Sequence, residues 1–399
     1  MPTLPSVYLD YNATTPTLPE VVEAMVPYFH RYFGNAASGH LWGKEAADAV
    51  EKARTRLAEV LEVTPQELIF TSGATEGLNL ALFGLAAAYQ SSGRHHLLIA
   101  ATEHKAVLEP AQILQKRGWT VELLPVTPEG QVLPETLAHA LRPDTLAVAV
   151  MLANNETGVI QPVAELAQLA HEKGAFFICD TTQAIGKIPV SLAQLGVDLA
   201  VVSAHKFYGP KGIGVLYVRR RSPRTTLQPL IYGGGHERGL RSGTLPVPLI
   251  VGMATALEKV TQRLSEEKQR LEALRYKLWE GLRHLFPAAR WNGQGAPLLP
   301  NTLSVTFPGL KASDLLARMP LVAAATGSAC TSARPEPSHV LLAMGLSPEE
   351  AKATLRFSLG LPTTAADIEA ALGHLAQALR GLQPKHAESK QAEAAAQIE

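Results

Sequence analysis

Cysteine is nearly missing from this chain: only Cys179 and Cys330 occur among 399 residues. So few exclude a disulfide framework of the kind that staples small secreted domains. Net charge is missing too, since Lys plus Arg and Asp plus Glu number 36 each. That balance argues against a generic nucleic-acid or membrane-surface binder. No apolar run reaches membrane-spanning length, and the opening MPTLPSVYLD has no basic region followed by an apolar core. A cytoplasmic protein, with no membrane and no direct nucleic-acid partner, is the expectation. Two nucleotide signatures are also absent: no G-x-G-x-x-G follows the first strand, and no G-x-x-x-x-G-K-[ST] occurs.

What is present centres on residues 198–217, DLAVVSAHKFYGPKGIGVLY. The apolar run Leu199 to Val202 has the length of a buried strand, and Lys206 sits just beyond its carboxyl end. A lysine amine there can be nucleophilic only if it is partly desolvated and other charges are close. Upstream, short apolar runs at 67–70, 97–100, 146–152 and 176–179 alternate with helical patterns at 75–89, 106–117 and 163–173. That alternation predicts an α/β domain with a mostly parallel, doubly wound sheet. Long helical patterns follow from Leu249 to Phe286, with an exposed charged run at 261–268. Beyond it, strand patterns at 301–307, 321–325 and 355–359 mix with helices in a smaller α+β domain. The expected division is 15–260 for the large, cofactor-binding domain, 1–14 with 261–384 for the small one, and 385–399 as a polar tail.

In an open parallel sheet, ligands bind at the carboxyl ends of the strands. Reading those ends in order gives Thr71-Ser72-Gly73-Ala74-Thr75, then Glu103-His104, Asn154-Asn155, Asp180 with Gln183, and Ser203 with His205 and Lys206. The first is a small-residue turn opening a helix, which suits a phosphate. Together they supply a phosphate cradle, an imidazole, an anion and an amine on one rim. Pyridoxal 5'-phosphate needs this set: a lysine for its aldehyde and a carboxylate to keep its ring nitrogen protonated.

Eight motifs in order, YLDYNATTP, FTSGATE, TEHKAV, MLANNETGV, SAHKFYGPKGIG, GGGHERGLRSGT, TGSACTS and RFSLG, run through nearly the whole chain. In these the sequence resembles the cysteine desulfurases, fold-type I pyridoxal-phosphate enzymes of the class V aminotransferase group. The resemblance implies that Lys206 holds the cofactor as a Schiff base and that Asp180 pairs with its ring nitrogen. It further implies that Gln183 bonds the phenolic oxygen and that His104 stacks on the ring. Ala74, Thr75, Ser203 and His205 would hold the phosphate, and Thr244 would reach the phosphate of a neighbouring subunit. Asn155, beside the cofactor, and Arg356 would hold the substrate carboxylate. An obligate homodimer with shared active sites is expected.

The two cysteines sit in opposite settings. Cys179 ends a strand beside Phe177 and Ile178 and reads as core. Cys330 is flanked by Thr326-Gly327-Ser328-Ala329 and Thr331-Ser332-Ala333-Arg334, a small, hydrophilic setting in which a thiolate is accessible. The resemblance makes Cys330 the sulfur acceptor. Lys206 would remove the Cα proton of L-cysteine, with His104 as a proton shuttle. The Cys330 thiolate would then take the sulfur as a persulfide, releasing L-alanine. An iron–sulfur scaffold or a sulfur carrier for tRNA thiolation would receive it. Selenocysteine lyases share several of these motifs and are the alternative; an ordinary class V aminotransferase would have no need of Cys330.

Overall fold

The computed structural model describes residues 6–220, 225–326, 336–380 and 382. Its largest sheet has seven strands: β2 (Leu68–Thr71), β3 (His96–Ala100), β4 (Thr120–Leu124), β5 (Thr145–Ala149), β6 (Phe176–Asp180), β7 (Leu199–Ser203) and β8 (Gly214–Val218). They lie in the order β2-β8-β7-β6-β5-β3-β4. All neighbours are parallel except β8, which runs against both β2 and β7. The expected doubly wound α/β fold is present.

The apolar runs form this sheet because both faces are covered. Along β6, Phe177 and Cys179 enter one core with the Leu41–Leu61, Val163–Glu172 and Val247–Gln262 helices. Phe176 and Ile178 point the other way, into a core with the Ala74–Ala88 and Lys105–Lys116 helices. Edge strand β4 alternates polar and apolar residues, is largely exposed, and had no counterpart in the sequence reading. The strand expected over 146–152 closes at Ala149. Beyond it Val150 and Leu152 still donate to the Ile178 and Asp180 carbonyls, so the chain stays extended outside the ladder.

A second sheet is antiparallel, in the order β12-β13-β10-β9, from β9 (Arg290–Trp291), β10 (Thr302–Thr306), β12 (Ala325–Thr326) and β13 (Thr354–Ser358). The strand expected over 321–325 is split: β11 (Val322–Ala323) pairs instead with β1 (Val7–Tyr8). The core under this sheet is closed by the Leu264–Leu285 and Ala365–Arg380 helices.

The N-terminal segment stitches the two sheets together. The Ser358 N–H donates to the Leu9 carbonyl and the Tyr11 N–H to the Ser358 carbonyl, while the Thr15 N–H reaches the His205 carbonyl beyond β7. The carboxyl edge of the large sheet thereby comes to lie against the small one.

Candidate active site

The carboxyl ends of β2, β3, β5, β6 and β7 share one edge, since those strands run in one direction. Each contributes polar groups there.

After β2 the chain turns at Gly73 (φ +156°), where a side chain is disfavoured, and enters the Ala74–Ala88 helix with no side-chain cap on its first N–H groups. Gly214, registered opposite Thr71 and Ser203, lets the backbones close in: a Cβ there would stand 2.7 Å from the Gly73 Cα. A Cβ on Gly73 would meet only the Ser203 hydroxyl, at 3.8 Å. The result is an open cup of main-chain N–H groups, lined by Ala74, the exposed Thr75 and the buried Ser203. Glu76 braces it, accepting from the Ser72 N–H at 2.8 Å and from Arg241 at 2.9 Å. Burial alone would raise the Glu76 carboxyl; these donors outweigh it and hold the group below its ordinary value.

The ends of β6 and β7 carry the charged groups. Asp180 accepts from the Thr182 N–H at 2.9 Å. The chain leaves β7 through a single tight turn, Ala204–Lys206, then passes Tyr208 in the left-handed region (φ +66°). A non-glycine residue there costs about 1–3 kcal/mol and persists only where its neighbours fix it. Thr15 Oγ1 accepts from the Tyr208 N–H at 2.7 Å, and the Tyr208 hydroxyl accepts from the Leu361 N–H at 2.6 Å. That clamp sets the direction of Lys206, whose Nζ donates to the Asn12 and Ala13 carbonyls at 2.7 Å each. His205 Nδ1 lies 3.1 Å from Thr14 Oγ1. Burial, with the charges of Lys206, Lys211 and Lys187 adding, pushes its imidazole down to about 4, so it is neutral at physiological pH.

His104 begins the Lys105–Lys116 helix and caps it, its Nδ1 accepting from the Ala106 N–H at 3.1 Å. Burial lowers this imidazole; Asp180 opposes the shift and Lys206 adds to it. A neutral ring whose Nδ1 accepts carries its proton on Nε2. His104 thus presents a donor and a flat face, and the shuttle role expected of it requires opening the helix cap.

Near it lie two buried carboxyls to which the sequence reading gave no role, although it named Glu103 beside His104 at the strand end. Glu103 accepts from the Met151 N–H, and burial pushes it up to about 8 despite that bond, the Asp180 charge adding to the rise. Glu156 is pushed up to about 7 by burial, opposed by the Ser338 hydroxyl and the Arg356 charge. Ser338 and His339 follow the Cys330 segment in sequence, and His339 Nε2 lies 2.9 Å from the Glu103 carbonyl. Cys330 itself lies outside the described residues.

From the small sheet, Arg356 donates to Asp10 at 2.6 Å and to the Asn155 carbonyl at 3.0 Å; its Nε is buried with no partner among the described residues. The Asn155 side chain makes no hydrogen bond among them. Asn12, which no local pattern marked, is the junction. Its N–H meets Ser358 Oγ, its Nδ2 donates to Thr302 Oγ1 and the Asn155 carbonyl, and its own carbonyl accepts from both Lys206 and Gln183.

Thr244 is exposed, at the end of the glycine-rich loop. That loop is pinned to its own subunit by Arg54, which grips Glu237 at 2.9 and 2.7 Å inside the core while Glu237 also accepts from the Phe70 N–H. Glu237 and Arg238 both have positive φ, a signal that sequence reading had no means to see.

Set beside known proteins, the chain matches the aminotransferase class-V family over residues 7–371. It is 46% identical over 382 residues to the cysteine desulfurase IscS of Anaeromyxobacter dehalogenans (strain 2CP-C), covering 95% of this chain and 94% of that one. Among solved structures it superposes on a NifS-like protein with a TM-score of 0.88 at 40% identity, over 94% of this chain and 100% of that chain. SspA in complex with cysteine aligns with a TM-score of 0.78 at 34% identity, over 88% of this chain and 98% of that chain. With the fold, the rim of polar strand ends and these matches in agreement, the chain belongs to the aminotransferase class-V family.

Proposed function

We propose that this protein is a pyridoxal-phosphate-dependent cysteine desulfurase. It takes sulfur from L-cysteine, releases L-alanine and holds the sulfur as a persulfide on Cys330 for an acceptor in iron–sulfur assembly or tRNA thiolation. The observation that carries the reading is the meeting of Lys206, Asp180, a neutral His104 and an uncapped helix N-terminus on one sheet edge. The relative seen with cysteine supports the substrate.

The donor set fits the cofactor. The cup at Gly73 has unfilled N–H groups and no Cβ, which a phosphate would occupy together with Ala74, Thr75, Ser203 and His205. Asp180, with one main-chain donor, keeps capacity for a ring N–H. Gln183 would donate to the phenolic oxygen and His104 would lie on the ring. When bound, the cofactor supplies an electron sink beside the substrate Cα.

The chain's own groups then divide the work. The buried Nε of Arg356 and the Asn155 amide bind the substrate carboxylate. Lys206 Nζ removes the Cα proton. The Cys330 thiolate attacks the substrate sulfur: a sulfur–sulfur bond forms as the carbon–sulfur bond breaks, its electron pair staying with carbon, which is then protonated to alanine. Residues 15–260 would form the large domain, with 1–14 and 261–384 as the small one.

A homodimer completes the reading, with Thr244 of the partner subunit on the phosphate. Its support is an exposed apolar patch where Phe29, Phe33, Leu41 and Trp42 are 61, 65, 81 and 54% exposed. Mixing inactive Lys206→Ala chains with inactive Thr244→Ala chains should restore activity in hybrids; hybrids that form and stay inactive would refute shared sites.

The test of the activity is alanine release from cysteine. Cys330→Ala should lose it by about 10³-fold or more while keeping the yellow cofactor band, and Cys179→Ala, with its buried thiol, should keep the rate. A Cys330→Ala protein working at the wild-type rate would remove the persulfide step.

A further inference from the structure

Lys187 is a second lysine at the site, and nothing above uses it. It lies one turn beyond Gln183, 8% exposed. Its Nζ donates to Asn12 Oδ1 at 3.0 Å and to Gln183 Oε1, and no carboxylate pairs with it among the described residues. A buried amine without a counter-ion is unfavourable. Burial, with the charges of Lys206 and Arg356 adding, pushes Lys187 well below the ordinary lysine range. Its Nζ stands as donor to both amides, each of which turns its oxygen toward it.

The consequences for the two amides differ. The Asn12 oxygen also accepts from Asn301 Nδ2 at 3.1 Å, so that side chain is oriented twice over. The Gln183 oxygen has Lys187 as its one donor among the described residues. With that oxygen turned away, Gln183 Nε2 faces the Asn12 carbonyl at 3.0 Å, the same oxygen that receives Lys206 at 2.7 Å. The donor end of Gln183 therefore looks toward Lys206, held by Lys187 on its oxygen and by the Asn12 carbonyl on its nitrogen.

We propose that Lys187 is a positioning residue: it fixes the Gln183 amide with its N–H groups toward Lys206 and thus toward the phenolic oxygen of the bound cofactor. The inference rests on the cofactor reading above. The two ends of a glutamine amide have nearly the same shape. Once Lys187 is removed, the Gln183 carbonyl can swing toward the phenolic oxygen and set acceptor against acceptor.

The experiment is a pH titration of the cofactor's visible band in the reconstituted protein. Lys187→Met keeps the length of the side chain and removes its donors. Its midpoint should rise by about one pH unit, because a phenolic oxygen deprived of a donor holds the neighbouring proton more tightly. Gln183→Ala should raise it as well, and adding Lys187→Met to Gln183→Ala should change nothing more. An unmoved midpoint in the single variant, or an undiminished second rise in the double variant, overturns the proposal. Thermal unfolding without cofactor separates a packing role: Lys187→Met should melt within a few degrees of wild type, since losing an uncompensated buried amine offsets the lost hydrogen bonds. Failure to fold, or a large drop, also overturns it. A wild-type chain that takes up no cofactor refutes the site reading itself, a result distinct from a loaded variant with an unmoved midpoint.

Discussion

Two aspartates stand at opposite ends of neighbouring strands and live under different rules. Asp198 precedes β7 on the amino edge, where His171 and the Phe177 N–H reach it at 2.7 Å and Arg219 at 3.3 Å. Asp180 ends β6 on the carboxyl edge, where one main-chain N–H is its hydrogen bond among the described residues. Both carboxylates border apolar strands, Asp198 opening β7 and Asp180 closing β6. The difference lies in what surrounds them: the amino edge spends its polar groups on one another, and the carboxyl edge keeps capacity in reserve. Of the buried side-chain atoms without a hydrogen-bond partner among the described residues, Thr102 Oγ1, Thr182 Oγ1 and Arg356 Nε fall near this second edge, while Arg94 Nε and His96 Nε2 fall at the amino end of β3. A buried polar atom left without a partner is unfavourable by about 1–3 kcal/mol. The three at the carboxyl edge are ones that a ligand bound there could satisfy.

The comparison can be broken most directly by removing each charge in turn. Asp180→Asn should lower alanine formation by at least about 10²-fold, because the ring nitrogen loses its counter-charge, and should leave the melting temperature nearly unchanged. Asp198→Asn should do the reverse. Stability should fall by about 2–4 kcal/mol as the negative charge and one of the two acceptor oxygens that serve His171, the Phe177 N–H and Arg219 are lost, with the rate per folded molecule retained. If the two variants fail in the same way, the two edges do not differ in kind.

A smaller effect sharpens the picture on the carboxyl edge alone. Glu103, pushed up to about 8, keeps its proton in the folded chain, whereas the unfolded chain releases it near 4.5. The folded state then binds more protons across that window, so its stability falls as pH rises from about 4.5 to about 8. Glu103→Gln keeps the acceptor for the Met151 N–H and removes the titration. Its gain over wild type should grow across the same window to roughly 5 kcal/mol, read as melting temperature against pH. A constant difference would show that Glu103 is ionised in the fold.

The rim was legible in the sequence because its signals are local. Four-residue apolar runs ending in Asp180 or in Ser203 announce both the strand and the group beyond it. So does the small-residue turn Ser72-Gly73-Ala74. Strand β4 was not legible: its apolar alternation is only Val121 and Leu123, too short to stand out between polar residues. Glu103 and Glu156 read as polar loop residues, since their burial is conferred by segments far along the chain, Ser338 among them. Lys187 and Asn12 were invisible for the same reason. Their meaning resides in partners such as Gln183, Thr302 and Ser358, and only Gln183 is close in sequence to either. Family resemblance supplied the roles of Thr244 and Arg356, which no periodicity marks.

The position of Asn12 also bears on how the protein is made. Translation delivers this residue well before its partners Thr302 and Ser358, which lie 290 and 346 residues further on. Contacts of such separation form late, after the local helices and hairpins. The alternating core of the large sheet can begin to assemble while the ribosome is still working. Lys206, however, leans on the carbonyl of Asn12, and Asn12 cannot be seated until β13 has emerged. A nascent chain stalled before Ser358 should therefore hold a folded sheet and an unseated Lys206, so that, on the function proposed above, the capacity to liberate sulfur arrives only once β13 is in place.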